Sequence, residues 1–305
     1  MARAGAAEAT LAHHRDSKDM ITNAMTVDVE GFVESNRQSF EIPSRYIDSR
    51  LEDDEVETNV AALLELLAEM RIRATFFFLG RIGRDLPALV RRVADLGHEI
   101  GSHSFDHLRV YGMERQDFKK AASRSKLQLE DAAGVPVLGF RAPDFSIVRS
   151  SQWAVDELLE AGFAYDSSLY PIGGHDVYGI PGAPPHIHRH PNGLVEFPLA
   201  TTSILGRRLP FGGGGYFRLY PLAITAGLMR RHNNRREPCM VYIHPYEVGP
   251  VIPKIVELSA YRRFRHYHGC KDGGRRMRRL LDQFRFAPAI DVLRSGGWLP
   301  ADARD

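Results

Sequence analysis

The sequence is poor in cysteine and has almost no net charge, and each shortage argues against a class of protein. Two cysteines among 305 residues cannot build the disulfide framework of a small secreted domain. We therefore expect reduced thiols and a cytoplasmic location. The formal net charge of +2 gives no reason to expect a nucleic-acid partner.

Long apolar segments are also missing. Because no run of about eighteen apolar residues exists, we expect no transmembrane helix. Residues 1–19 are rich in alanine, histidine and charge, and they lack the apolar centre of a signal peptide. We predict a disordered extension or a misassigned start over residues 1–19, then one domain over residues 20–305. Within that domain, residues 251–305 are predicted to form a basic helical C-terminal extension.

Strand and helix patterns alternate along most of the chain. Apolar runs at residues 24–29, 74–79 and 240–243 are typical of buried strands. Apolar residues in the segment 59–70 have the spacing of an amphipathic helix. The alternation predicts a parallel α/β architecture, and polar residues at several strand ends place a site at the carboxyl edge of a barrel. Residues 32–54 show no period, so we predict a long loop over that site.

Histidines and carboxylates follow two of the predicted strands. His103 and His107 could face one point if the chain turns helical after Ser102. Asp28 and Glu30 lie two residues apart at the end of another strand and should share one face. Two imidazoles and one carboxylate suit zinc and leave a position open for water. The second carboxylate is then free to act as a base.

Two more segments, later in the chain, also place a polar residue at the end of a predicted strand. They are Phe-Arg-Ala-Pro at residues 140–143 and Val-Tyr-Ile-His-Pro at residues 241–245. Together with residues 26–30 and 103–107, they resemble the polysaccharide deacetylase family, also called the NodB-homology or carbohydrate esterase family 4 group. The resemblance extends over about residues 24–250. It implies a distorted (β/α)7 barrel of the NodB-homology type, which the periodicity alone does not give.

Several short segments resemble one branch of that family more closely. This branch is found beside exopolysaccharide and exosortase loci in bacteria. The matching segments are residues 167–171, 178–181, 209–218, 244–247 and 284–288. The resemblance therefore points to a bacterial polysaccharide pathway.

The resemblance also implies roles for the residues around the metal. Glu30, His103 and His107 are the expected ligands of a divalent ion, and zinc is the expected metal. Asp28 is the expected general base. Arg141 is expected to pair with Asp28, because a guanidinium can bind and orient a carboxylate.

A second group of residues is expected to act on the leaving group and the oxyanion. His244 is the expected general acid that protonates the departing amine. Asp166 is the expected partner that orients His244, with a capping or loop role as the alternative. Pro143 stiffens the turn, and the backbone N–H of Asp144 is expected to help hold the oxyanion.

The glycine run at residues 212–215 could be mistaken for a phosphate-binding loop. It lacks the Gly-x-x-x-x-Gly-Lys-Ser/Thr pattern, which argues against a nucleotide. We predict instead that it lets the backbone approach a sugar, with Tyr216 and Phe217 as apolar walls. Three loop residues are further candidates for the same groove, with plain loop polarity as the alternative: His175, Asp176 and Tyr178.

The expected function is removal of N-acetyl groups from amino sugars of a bacterial polysaccharide or oligosaccharide. Basic stretches such as residues 262–263 and 275–279 are either solvated faces or attract an anionic glycan, a lipid-linked glycan or a membrane surface. The second case would place the protein at the periphery of the inner membrane. One alternative is an allantoinase-like amidohydrolase acting on a small non-sugar amide. Another is a catalytically silent glycan-binding protein, which would need a damaged base or acid.

Overall fold

A computed structural model of the protein describes residues 20–175 and 177–301. The extension predicted over residues 1–19 and the groove candidate Asp176 lie outside the described residues. Among the described helices, none combines the length with the apolar character that a membrane span needs.

The described chain contains strands throughout its length. The strands are β1 (Thr22–Val29), β2 (Thr75–Phe78), β3 (Glu99–Ser102), β4 (Gly139–Phe140), β5 (Tyr165–Asp166), β6 (His188–Arg189), β7 (Val195–Glu196), β8 (Thr201–Ile204), β9 (Arg207–Pro210), β10 (Met240–Ile243) and β11 (Arg285–Ala287).

Helices connect most of these strands. The α-helices are α1 (Phe32–Asn36), α2 (Ser49–Met70), α3 (Gly80–Asp85), α4 (Pro87–Asp95), α5 (Arg115–Ala133), α6 (Ala154–Glu160), α7 (Gly214–Leu219), α8 (Leu222–Asn233), α9 (Ala260–Tyr267), α10 (Gly273–Leu281) and α11 (Ala289–Ser295). Short 3₁₀ turns lie at Ser44–Tyr46, Val110–Gly112, Pro143–Phe145, Arg149–Ser151, Pro245–Glu247 and Cys270–Asp272.

Nine of the strands form one sheet with the order β10-β1-β2-β3-β4-β5-β7-β6, and β11 also pairs with β1. All neighbours are parallel except β6 and β7. The sheet curls strongly, because Ser167 Oγ after β5 lies 2.8 Å from Met240 Sδ on β10, although these strands are well separated in the order. The predicted fold class is confirmed: a mixed α/β protein with a half-barrel sheet of the NodB type.

Alternation along the strands divides the core into two layers. Phe76 and Phe78 point outwards and pack with apolar residues of the surrounding helices, such as Leu63 of α2. Phe77, between them, points inwards and packs with Tyr165 and other residues of the barrel interior. The site therefore lies above a filled interior, at the carboxyl ends of the strands.

The segment predicted to be a loop over residues 32–54 contains helical structure instead. α1 has five residues, too few to show a period, and its Phe32 packs with Phe40 and Tyr246. α2 begins at Ser49 because the Asp48 side chain accepts hydrogen bonds from the backbone of the first turn.

The C-terminal segment differs from the predicted helical extension in one respect. It contains α9, α10 and α11, but β11 also joins the central sheet beside β1. Ala24 pairs with Met240 on one side and with Ala287 on the other. The strand after α10 thus contributes directly to the barrel.

Gly101 on β3 provides a test of how tightly the barrel interior is packed. A Cβ atom at this position would overlap the buried ring of Phe77. We predict that Gly101→Ala lowers the free energy of unfolding by about 1–3 kcal/mol, measured by denaturant titration. Gly112→Ala is the control, because a Cβ there meets no atom within 4 Å. Equal stabilities of the two variants would contradict the described packing.

Candidate active site

Side chains from four strand ends converge at one edge of the sheet. Asp28 is the last residue but one of β1 with Glu30 just beyond the strand, His103 follows β3, Arg141 follows β4 and His244 follows β10. A cavity of about 430 Å³ opens at this edge, and all of these residues except the fully buried arginine line it. The parallel arrangement brings these residues together, since the carboxyl ends of parallel strands share one edge.

Glu30, His103 and His107 form a buried group that could hold a metal ion. One ligand atom from each lies within 4.8 Å of the others. Glu30 Oε2 is 2.7 Å from His107 Nε2 and 3.5 Å from His103 Nε2, yet it has no hydrogen bond of good geometry. His103 Nδ1 lies 2.8 Å from the carbonyl oxygen of Arg141, so Nε2 is left to face the ion.

The charges of this group also suit a cation. Burial raises the pKa of Glu30, but His107, His103 and His244 outweigh it and hold the pKa well below its usual value. Burial lowers the pKa of His107, whereas the nearby charge of Glu30 raises it to about 9. Glu30 thus supplies a buried negative charge among imidazoles, and a divalent ion requires such a combination of ligands. The three residues fit such an ion.

The histidines converge although the chain makes no helical turn directly after Ser102. The chain after Ser102 is irregular, and Ser104 has a left-handed φ of 67°. Its carbonyl oxygen accepts hydrogen bonds of 2.8 Å from Gly80 N and from Ser125 Oγ. A tertiary anchor, not local helix formation, therefore sets the two imidazoles side by side.

Asp28 is bound by a completely buried arginine. Arg141 Nη1 donates to Asp28 Oδ1 at 2.6 Å and to Thr26 Oγ1 at 2.8 Å. Nε and Nη2 of the same side chain donate to the carbonyl oxygen and the hydroxyl of Ser167 at 3.2 and 3.0 Å. The guanidinium carbon lies 4.3 Å from the centre of the Phe77 ring. The hydrogen bonds and the ring contact hold the guanidinium in place, and the guanidinium in turn fixes the orientation of the Asp28 carboxylate.

His244 is held between two carboxylates. Its Nε2 lies 3.1 Å from Glu30 Oε1, and its Nδ1 lies 3.3 Å from Glu247 Oε2. Glu247 also accepts from the backbone N–H of His244 at 3.0 Å and from Arg218 Nε at 2.6 Å. Burial raises the pKa of Glu247, but Arg218 and His244 lower it to about 2. Burial lowers the pKa of His244, but Glu247 and then Glu30 raise it to about 10.

The predicted partnership of Asp166 with His244 is wrong. The Asp166 carboxyl group accepts from Ser167 N at 2.8 Å and from Ser168 Oγ at 2.5 Å, away from the cavity lining. Burial and the neighbouring Glu196 raise its pKa well above the usual value. Glu247 takes the place beside His244. The signal that could have revealed it is the three-residue spacing across a turn that begins at Pro245.

The other predicted groove residues that the structure describes lie around the cavity, with two exceptions. His175 stacks on Tyr178 with ring centres 3.7 Å apart, and both line the cavity with Tyr216. Asp144 lines it as well, with a left-handed φ of 52° and a carboxylate that accepts from Arg109 Nε at 2.7 Å. Pro143 and Phe217 are buried and are absent from the lining, so the predicted apolar wall at Phe217 is wrong: its ring packs in the hydrophobic core. Further lining residues had no assigned role in the sequence analysis: Arg218, Glu247, Tyr261, Phe264 and Arg265.

Two family models match the chain in succession. Residues 52–163 match the polysaccharide deacetylase model, and residues 167–294 match a domain of unknown function called DUF3473. The resemblance to the polysaccharide deacetylases is confirmed. The first match includes the two histidines, whereas the second includes His244 and Glu247.

Curated relatives of this chain are named as deacetylases. A peptidoglycan-N-acetylglucosamine deacetylase of Bacillus cereus is 25% identical over 146 residues, which cover 44% of this chain and 52% of that protein. A chitooligosaccharide deacetylase of Sinorhizobium fredii is 38% identical over 58 residues, covering 19% of this chain and 27% of that protein. The chain therefore spans about half or less of the length of these relatives.

Solved structures share the fold over nearly the whole chain. A candidate polysaccharide deacetylase from Mycobacterium smegmatis has a TM-score of 0.57 at 21% identity, covering 93% of this chain and 94% of that one. Puue allantoinase has a TM-score of 0.54 at 13% identity, covering 89% and 88%. Both similarities concern the fold alone, so the deacetylase fold does not by itself specify the substrate.

The buried pair of Arg141 and Asp28 predicts a measurable coupling in stability. Arg141→Met should lower the free energy of unfolding by about 3–5 kcal/mol, because it leaves a buried carboxylate without its cation. Asp28→Asn should cost less, since its amide oxygen still accepts from the guanidinium. In denaturant titrations the double variant should lose less stability than the sum of the two. Additivity within about 0.5 kcal/mol would show that the two side chains are not coupled.

Proposed function

We propose that the protein is a metal-dependent hydrolase that removes N-acetyl groups from amino sugars of a polysaccharide or oligosaccharide. The observation that carries the proposal is that two neighbouring carboxylates have different partners. Asp28 is bound by Arg141, whereas Glu30 lies with His103 and His107. The names of the related deacetylases support a sugar amide as the substrate.

Glu30, His103 and His107 would hold the divalent ion, and we propose zinc. Two imidazoles and one carboxylate form a ligand set that zinc accepts while leaving a position open. Such an ion, when bound, would polarise an amide carbonyl and make water a stronger acid. The protein's own contribution is to fix these donors and to supply the proton-transfer groups.

Asp28 is the proposed base that takes a proton from the attacking water. Its salt bridge with Arg141 uses Oδ1, so Oδ2 is available for that proton. Because the guanidinium makes further bonds to Thr26 and Ser167, the carboxylate cannot turn away from the cavity. The backbone N–H of Asp144, in the turn that borders the cavity, is the proposed donor to the oxyanion.

His244 is the proposed acid that donates a proton to the departing amine. Its imidazole lines the cavity, and Glu247 stands at the opposite ring nitrogen. A carboxylate in this position orients the ring and favours its protonated form. The acetamide bond would then break to give acetate and a free amino sugar.

The two alternative functions make different predictions. An allantoinase-like enzyme would act on a small amide, and Puue allantoinase shares the fold. A silent binding protein would lack the base or the acid, but Asp28 and His244 both line the cavity. The deciding experiment measures acetate release by zinc-loaded protein from a panel of N-acetylated oligosaccharides. Turnover of a small non-sugar amide, without acetate from any sugar, would contradict our proposal.

Single substitutions should separate metal binding from catalysis. Asp28→Asn should keep its zinc and lose turnover by about a hundred- to ten-thousandfold, the usual contribution of a positioned base. His103→Ala should lose zinc and activity together, because two protein ligands hold the ion poorly. His186→Ala, at an exposed histidine, is the control. Elemental analysis beside acetate release checks all three. A zinc-free Asp28→Asn protein would mean that Asp28 is itself a ligand.

A second pair of substitutions tests which carboxylate orients the acid. Glu247→Gln should keep zinc and lower kcat by about ten- to a hundredfold, the range for losing a group that orients a reactive one. Asp166→Asn should leave kcat nearly unchanged, because that carboxyl group has a raised pKa and is bonded to Ser167 and Ser168. The kinetics of both variants are compared at one zinc loading. A larger loss of kcat in Asp166→Asn would restore the role that the sequence predicted.

A further inference from the structure

The rim of the cavity is cationic and aromatic on one side. That side is α9, whose His266 lines the cavity together with three further side chains: Tyr261, Phe264 and Arg265. Their spacing of three and four residues places them on one face of the helix. Residues 258–271 contain no aspartate or glutamate. None of the residues of α9 is buried, and the two aromatic residues are 71% and 54% exposed. Such exposure beside a cavity is typical of a ligand-binding surface.

The ion pairs around the cavity leave the guanidinium of one lining arginine without a carboxylate partner among the described residues. Each carboxylate in the lining has a partner: Asp28 with Arg141, Asp144 with Arg109, Glu247 with Arg218, and Glu30 with the surrounding histidines. Arg265 makes no ion pair within residues 20–175 and 177–301. The mouth of the cavity therefore carries a positive charge that no carboxylate among the described residues neutralises.

Arg218 fixes the position of α9 through hydrogen bonds to the backbone at the end of this helix. Nη1 of this arginine donates to the carbonyl oxygens of Arg265, His266 and His268 at 3.3, 3.0 and 2.9 Å. The ring of His266 also packs on Phe40, with centres 4.9 Å apart. The end of the helix that carries Arg265 is thus tied to the same arginine that binds Glu247. The unpaired guanidinium of Arg265 is therefore part of the active-site rim and does not belong to a separate surface.

We propose that the substrate is an acidic glycan, with sugar carboxylates beside the N-acetylated residue. This inference rests on the proposed deacetylase function and names its substrate class. Arg265 would bind the carboxylate with its planar guanidinium, and Tyr261 and Phe264 would pack against the sugar rings. A glycan is favoured over a membrane surface because these three side chains line the cavity itself.

The test compares two oligosaccharides of equal length by calorimetry. One is a neutral chain of N-acetylglucosamine, and the other alternates N-acetylglucosamine with glucuronic acid. Zinc-loaded protein carrying Asp28→Asn is used so that turnover does not disturb the titration. The acidic chain should bind more tightly, and high salt should remove the difference. Adding Arg265→Gln should weaken binding of the acidic chain by about two- to fivefold and leave the neutral chain unchanged.

Arg263→Gln is the matched control on the same helix. Its guanidinium donates to the carbonyl oxygens of Val256 and Leu258 and does not line the cavity. Equal affinity for the two chains, or an equal loss in both arginine variants, would overturn the inference. So would binding only to anionic phospholipid vesicles. If the preference depends on Arg265 but active protein releases no acetate from any sugar amide, the proposed function fails while the acidic-glycan inference stands.

Discussion

The buried salt bridge between Arg141 and Asp28 is the interaction on which the rest of the site depends. The guanidinium reaches three strands or strand ends at once, through Asp28 and Thr26 of β1, Ser167 after β5 and Met240 of β10. Its cost of desolvation is offset only if all these bonds are present. The curl of the sheet makes them possible, because it brings β5 and β10 to the same side of the interior. The arginine thus stabilises the half-barrel and directs one carboxylate at the same time.

This arrangement separates two carboxylates that are only two residues apart. Asp28 has its cation already, so it does not need a metal to compensate its charge. Glu30 lies among imidazoles, and its pKa is low because of them. The carbonyl oxygen of Arg141 also accepts from His103, which turns that ring towards Glu30. One residue therefore prepares both the proposed base and a proposed metal ligand.

A second series of contacts connects the proposed acid with the rim of the cavity. Glu247 stands beside His244, Arg218 binds Glu247, and the same arginine holds the end of α9. A substrate that binds at the rim would therefore contact a helix that is connected to the proposed acid through only two side chains. This connection lies within the part of the chain that matches DUF3473.

Sequence reasoning predicted the strand-end residues well because a parallel sheet brings its carboxyl ends together whatever the loops do. It located Asp28, Glu30 and the two histidines for that reason. It failed where tertiary contacts decide the outcome, as at the left-handed Ser104, whose neighbours come from α3 and α5. It also failed for α1, whose five residues cannot show a period.

The choice of Asp166 as the partner of His244 was wrong for a related reason. The family pattern specifies a residue type at a strand end, but not what a neighbouring strand supplies. Here Glu196 of β7 lies beside Asp166, and the pair stays buried among Ser167 and Ser168. Glu247 could be found from the sequence only by considering the turn that begins at Pro245.

The measurement that tests the account most directly is a crystal structure of the zinc-loaded protein with anomalous diffraction at the zinc edge. Our account predicts one peak about 2.0–2.2 Å from an oxygen of Glu30 and from the imidazole nitrogens of His103 and His107. Asp28 should remain bonded to Arg141 and outside the coordination sphere. A peak bound to Asp28, or no peak between the two histidines, would contradict the division of the carboxylates on which the proposed mechanism depends.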